Sequence, residues 1–357
     1  MDHQLRRTRL TARLHELEVD ALLVTRMPNV RYLTGFTGSN ALALVGDAET
    51  VFITDGRYTE QSRHEVPDVE RVTALHGFVE PVVDQCARLG VSRLGFESNG
   101  VTVGQHQRFH DALEAVELIP TGEEVERLRW AKDEDELDLL RRAQAASDQA
   151  FDDVLELLSI GVTERRIALA LEQLLRRDGG DGLAFESIVA FGENAAEPHH
   201  APNHRVLAEG DVITLDFGAL VGGYHADMTR TVAFGQPAAE LRKVHDVVRE
   251  AQQAGVDAVR AGMMGSDVDR VVRSAIEEAG YGEAFPHPLG HGVGLEIHEG
   301  PRLGREFDHE LPAGAVVTVE PGIYVPGLGG VRIEDSVEVT DDGCRVLGTS
   351  TRELLEL

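Results

Sequence analysis

The chain is poor in the residues that several chemistries require. Its 357 residues hold two cysteines, Cys86 and Cys344, which build neither a disulfide framework nor a C-x-x-C redox or metal site. Lysine is as scarce, with Lys132 and Lys243 set against 32 arginines. Schiff-base chemistry therefore has two candidates, and no G-x-x-x-x-G-K phosphate loop is present. The G-x-S-x-G nucleophile elbow is also missing. No apolar run approaches the roughly 18 residues of a membrane span. The opening segment MDHQLRRTRLTARLHELEVDALLV is charged and amphipathic and has no apolar signal core, so the expected compartment is the cytoplasm. Positive charge is in deficit: 34 Lys and Arg against 62 Asp and Glu leave a net charge of −28. That excludes the basic face a nucleic-acid partner needs.

What the chain does have is acidic residues at the ends of apolar runs. Asp216 ends Val212-Ile213-Thr214-Leu215, and Asp227 follows in Tyr224-His225-Ala226-Asp227. His291 lies in HPLGHGVGLEIHE (287–299), Glu320 closes AVVTVEPG (315–322), and Glu334 sits in GGVRIED (329–335). Four carboxylates with one imidazole carry more negative charge than an apolar strand environment tolerates unpaired. Two divalent cations would cancel it. Strand geometry tests the idea: if VITLDFGAL and YHADMTRTV form a hairpin turned at Gly222-Gly223, Asp216 lies opposite Thr229 and Asp227 opposite Gly218. The two aspartates are then diagonal neighbours on one face, with Cα atoms roughly 7–8 Å apart. That suits a metal pair about 3.5–4 Å apart.

The oxygen-rich set with a single imidazole suits Mn²⁺ or Co²⁺, with Fe²⁺ or Zn²⁺ as alternatives. The charge count leaves room for one bridging hydroxide, and the reaction class is metal-assisted hydrolysis. His199, His287 and His298 lie near the ligand set in sequence, where a hydrolase needs donors.

The series DFG…ADMTRT, HxxxHGVGLEIHE, VEPGIY and VRIED resembles the pita-bread metallopeptidases: Xaa-Pro aminopeptidases, prolidases and, more distantly, methionine aminopeptidase and creatinase. The segments NVRYLTGFTGSNALALV (29–45) and VFITDGRY (51–58) resemble the accessory domain of the proline-specific branch. The resemblance implies an α+β fold, with a pita-bread catalytic domain at 123–357 preceded by a smaller α/β domain at 1–122. It implies Asp216, Asp227, His291, Glu320 and Glu334 as ligands of two divalent metals, with Asp227 and Glu334 bridging. It implies His199 at the substrate pocket, His287 and His298 as groups acting on the substrate carbonyl or relaying protons, Glu320 as a proton shuttle, Arg332 beside the metals and Tyr324 as an aromatic near the pocket. Pro288 departs from the small residue that relatives commonly carry there. The implied activity is hydrolysis of the Xaa-Pro bond in dipeptides, with cleavage of longer peptides by an Xaa-Pro aminopeptidase as the runner-up. A non-catalytic binding module of the same fold is the remote alternative. A homodimer is the implied assembly, with neither nucleic acid nor membrane as partner.

Periodicity predicts helices at 4–18, 57–65, 104–117, from a Thr121–Glu124 capping box through Ala146, then 147–158, to Arg177 after Gly161-Val162-Thr163, 238–261 and 266–279. Strands are expected near 20–25, 41–46, 51–55 and 93–98.

Overall fold

A computed structural model describes the whole chain, Met1–Leu357, which divides into two compact units, Met1–Arg129 and Trp130–Leu357. The first unit is a six-stranded mixed sheet built from β1 (Ala21–Val24), β2 (Ala41–Gly46), β3 (Thr50–Asp55), β4 (Glu70–Ala74), β5 (Arg93–Glu97) and β6 (Glu117–Thr121). The strand order is β4-β3-β2-β1-β5-β6. Around the sheet run α1 (His3–Glu16), α2 (Met27–Thr34), α3 (Thr59–Glu65), α4 (Val79–Leu89) and α5 (Val103–Ala112). The central strands read as near-continuous apolar runs because both their faces are covered.

Three expectations fail locally. The helix predicted over 104–117 ends at Ala112, because residues 117–121 pair in parallel with β5 as an edge strand. The long helix predicted from Glu124 breaks: α6 (Glu124–Trp130) stops, and the chain runs extended through Ala131 and Lys132. It then restarts as α7 (Glu134–Leu155), where Asp133 and Glu136 form the capping box. A D-x-x-E box outranks mere continuity of helical pattern. The break expected after Ala146 does not occur, since the Ser147 hydroxyl donates to Ala143 O (3.0 Å) and accepts from Ala219 N (3.0 Å) inside one helix. The expected boundary at residue 122 precedes α6, whereas the units divide near its end. Within the first unit, Arg26 bonds Glu126 (2.5 Å), Arg129 bonds Asn29 (2.6 Å) and Tyr32 OH donates to Leu128 O (3.0 Å), which binds most of α6 there.

The second unit holds two similar halves, the pita-bread arrangement that the resemblance implies. The first half places α7 and α8 (Glu164–Arg177, capped by Thr163) over a three-stranded sheet. Its strands are β8 (Ile188–Phe191), β9 (Val212–Phe217) and β12 (Met228–Ala233), with β7 (Gly182–Leu183), β10 (Ala219–Val221) and β11 (Tyr224–His225) forming a small side sheet. The second half places α9 (Ala239–Ala258) and α10 (Gly265–Glu278) over β13 (Gly290–Gly292), β14 (Glu299–Leu303), β15 (Val316–Val319), β18 (Asp335–Val339) and β19 (Cys344–Val346). The ribbon β16 (Gly322–Val325) and β17 (Gly329–Arg332) is an excursion between β15 and β18. Each half buries its own apolar cluster between helices and strands.

The expected hairpin register holds. Thr229 faces Asp216, and beyond a break Leu220 faces His225. Gly222 and Gly223 both have positive φ (55° and 81°), as a two-residue turn of this type requires. The break falls at Gly218, where a Cβ would lie 1.8 Å from Ala226 O. Only glycine permits that approach, which sits next to Asp227 in the pairing.

Candidate active site

All five expected ligands line one cavity of about 400 Å³, together with His199, His287, His298 and Arg332. Asp216 lies in β9 and Asp227 immediately before β12; His291 is the middle residue of β13. Glu320 follows β15 and Glu334 precedes β18. Ligand atoms of Asp227, His291 and Glu334 lie within 4.8 Å of one another. His291 Nε2 stands 3.6 Å from Asp227 Oδ2 and 3.3 Å from Glu320 Oε1. Strand alternation decides which acids enter the site. Glu334 faces the cavity, while its neighbour Asp335 is taken up by Arg230 (2.7 Å), Arg352 (2.6 Å) and Gln252 (2.7 Å).

Two of the inner carboxylates are held by one oxygen and bare at the other. Arg332 Nη2 donates to Asp216 Oδ2 at 2.6 Å, and Asp216 Oδ1 is buried without a partner. Thr229 Oγ1 donates to Glu334 Oε2 at 2.7 Å, and Glu334 Oε1 is likewise orphaned. Buried acceptors are rarely left unmatched, so these atoms call for a missing partner. Burial, followed by repulsion from neighbouring carboxylates, pushes Asp227 and Glu334 well above the usual carboxylate range. Burial also raises Asp216, against the opposing charge of Arg332. Glu320 goes the other way: burial pushes it up, but the hydrogen bond and charge of His291, with His287 and Arg332, hold it at about 2. The same contact raises His291 despite its burial. His291 Nδ1 donates to Gly292 O (3.0 Å), which turns Nε2 toward the acids. Converging carboxylates, one oriented imidazole nitrogen and two orphaned oxygens fit a divalent-cation site.

The other expected residues separate into two groups. His298 packs its edge against His291, with ring centroids 4.4 Å apart, and lines the cavity. Burial, with the His291 charge, lowers its pKa. His199 is exposed at the cavity wall. His287 also lines the cavity, but both its nitrogens are engaged. Nδ1 donates to Pro288 O (2.8 Å), so Nε2 accepts from Tyr324 OH (3.0 Å). Tyr324, expected near the pocket, stands behind its wall. It does not line the cavity, and its phenol oxygen accepts from Arg332 Nη1 at 2.8 Å while donating to His287.

Three site residues were missed in the sequence. Thr229 holds Glu334, and Thr318 Oγ1 accepts from His291 N (3.0 Å) while donating to Glu320 Oε1 (3.0 Å). Thr318 had a readable signal: Val212-Ile213-Thr214-Leu215-Asp216 and Val316-Val317-Thr318-Val319-Glu320 repeat one pattern. Arg302 is the third. It lines the cavity in no ion pair, stacked over Phe307 at 5.4 Å from the ring centroid.

Comparison with known proteins agrees with this geometry. Residues 138–341 match the family described as Metallopeptidase family M24, and residues 6–130 match the Creatinase/Prolidase N-terminal domain. The chain is 41% identical over 342 residues to the uncharacterized peptidase YqhT of Bacillus subtilis, covering 96% of this chain and 97% of that one. Among solved structures, the Xaa-Pro dipeptidase from Bacillus anthracis aligns with a TM-score of 0.97 at 39% identity over 100% of both chains. The X-Pro aminopeptidase from Thermotoga maritima aligns with a TM-score of 0.89 at 38% identity, over 97% of this chain and 100% of that one. With the carboxylate–imidazole cluster standing inside the matched region, this chain belongs to metallopeptidase family M24 and carries the family's creatinase/prolidase N-terminal domain.

Proposed function

We propose that the protein is a two-metal exopeptidase that hydrolyses the Xaa-Pro bond of dipeptides. Asp216, Asp227, His291, Glu320 and Glu334 would hold the cations. Mn²⁺ or Co²⁺ suits this donor set best, with Zn²⁺ or Fe²⁺ as alternatives. When bound, such cations supply Lewis acidity toward the scissile carbonyl and activate water at neutral pH.

The chain's own residues do the rest. Arg332 and Thr229 hold the outer oxygens of Asp216 and Glu334, so the inner oxygens keep their aim. Glu320, or a water beside it, would shuttle the proton that the attacking water releases. His298, with no hydrogen bond in the protein, can donate to the oxygen that gains charge. His287, with both nitrogens engaged, orients the wall rather than donating.

The observation that carries dipeptides over longer chains is Arg302, an exposed cation at the cavity wall in no ion pair, whereas the other arginine of the cavity, Arg332, is held by Asp216. The free carboxylate of a C-terminal proline requires such a counter-charge; an internal proline does not. The similarity to an X-Pro aminopeptidase, at nearly the same identity as to the dipeptidase, supports the second reading. Kinetics on Ala-Pro and Ala-Pro-Ala, with metal content measured, tests both. Metal-dependent cleavage confined to Ala-Pro is the expected result, and equal kcat/KM on the tripeptide favours the aminopeptidase. The family resemblance also supports a cytoplasmic homodimer; no helix is long and apolar enough to cross a membrane.

A further inference from the structure

The catalytic cavity shares a wall with a second, larger groove. His287, Pro288 and Phe307 line both. The second groove, about 690 Å³, continues past Phe285, Pro286 and Arg305. Its cations are already satisfied: Arg273 is held by Asp269 (2.8 Å) and Arg305 by Glu277 (3.4 Å). Glu283 and Glu306 on the same wall are exposed and in no ion pair, so the groove is acidic beside its apolar rings; it suits a neutral or basic stretch of peptide and disfavours a terminal carboxylate.

Phe307 is held firmly between the two spaces. Its N–H donates to Gly304 O (3.0 Å), and its carbonyl accepts from Ser266 N (3.2 Å). A Cβ at Gly304 would lie 3.0 Å from both Phe307 Cδ2 and Pro288 Cβ, so ring, glycine and proline close up without slack. On the catalytic side the ring carries the guanidinium of Arg302. The cation that would meet the proline carboxylate and the ring that blocks further passage are therefore neighbours.

We propose that Phe307 is the specificity residue for substrate length. With Pro288, its ring is the partition that ends the substrate at the residue after the scissile bond, and the adjoining groove is the path a longer peptide would take. This rests on the dipeptidase reading above. Truncating the ring joins the two spaces. A third residue can then pass into the groove instead of colliding with the ring, while Arg302 loses the face it stacks on. Both effects favour tripeptide over dipeptide.

The test is kcat/KM on Ala-Pro and on Ala-Pro-Ala with its C-terminus amidated, so that no carboxylate meets the acidic groove, for wild type, Phe307→Leu and Phe307→Ala, each with folding and metal content verified. The tripeptide-to-dipeptide ratio rises at least about tenfold in Phe307→Ala, as expected when a steric exclusion is removed, with Phe307→Leu between. If Phe307→Ala does not fold, Phe307→Leu carries the comparison alone. An unchanged ratio in a folded, metal-loaded variant of a dipeptide-restricted wild type overturns the role of Phe307 and leaves the dipeptidase reading standing. A wild type that already cleaves both peptides equally overturns the dipeptidase reading itself, and the partition with it.

Discussion

The two halves of the catalytic unit carry the same strand, Val-Ile-Thr-Leu-Asp in one and Val-Val-Thr-Val-Glu in the other, yet they use it differently. In the first half Asp216 is paired with Thr229, so the second acid, Asp227, stands two residues along the partner. In the second half the ladder ends at Val319 opposite Asp335, and Glu320 and Glu334 occupy the next position on each chain. Each half also secures a carboxylate of the other. Arg332 reaches from the second half to Asp216, and Thr229 reaches from the first to Glu334. The seam is continued by Glu334 N to Thr229 O (3.1 Å) and Thr231 Oγ1 to Arg332 O (2.9 Å). A carboxylate cluster that repels itself is thus built from two independently packed cores and aimed by contacts that exist only when both are docked.

The largest break in this comparison is removal of an inner acid. Asp227→Ala in the first half and Glu334→Ala in the second should each abolish peptidase activity and lower bound metal, because both ligand atoms belong to the tight cluster. Metal analysis of the purified variants checks this, and full metal retention in either removes that residue from the site.

A smaller break concerns the buried pair Lys132–Glu299 (2.9 Å, side chains 1% and 3% exposed), which ties the segment leading into α7 of the first half to β14 of the second. Lys132→Ala removes the counter-charge of the buried Glu299 and should cost about 3–5 kcal/mol. Lys132→Met with Glu299→Leu should recover most of that in denaturant unfolding. Equal losses in the single and double variants would mean packing, not charge, is at stake.

The cross-contacts sharpen the comparison at lower cost. Arg332→Met and Thr229→Val each free one outer oxygen, and such supporting partners typically contribute about 10–100-fold in metal affinity or activity. The two variants should resemble each other although they lie in different halves, and metal titration reads the result. A wild-type titration for either would make the seam incidental.

The smallest effect separates the halves by pH. Burial lowers His245 in α9 to about 4 against an ordinary 6.5, and its Nε2 is buried without a partner. The unfolded chain binds this proton more readily, so stability is full above about pH 6.5 and falls as pH drops toward 4. Between pH 7.5 and 5.5 the group should account for about 1 kcal/mol of lost stability. His245→Leu should flatten that part of the profile in thermal unfolding. An unaltered slope would assign the acid sensitivity elsewhere.

Much of the architecture was legible because it follows from local pattern. The glycine pair 222–223 set the hairpin, and the register it implied for Asp216 and Thr229 is the one observed. Gly161-Val162-Thr163 opened α8, and Gly280 closed α10. The short helix Met27–Thr34 was not legible, since Asn29 and Tyr32 are buried polar residues whose partners, Glu97, Glu126 and Leu128, are distant in sequence. Arg302 and Phe307 lay outside every quoted motif, so nothing in the sequence marked them as cavity residues.

By itself, then, the sequence determined the acids and the imidazole that meet in the cavity and the strand ends that carry them, because period-two alternation and turn glycines act over a few residues. The tertiary structure alone decided which oxygen of each acid is held and which is left bare. It also decided that His287 spends both nitrogens on Pro288 and Tyr324, and that Arg302, in no ion pair, stands over Phe307. Those outcomes depend on docking two separately packed cores, and the distances that result are between residues about a hundred positions apart.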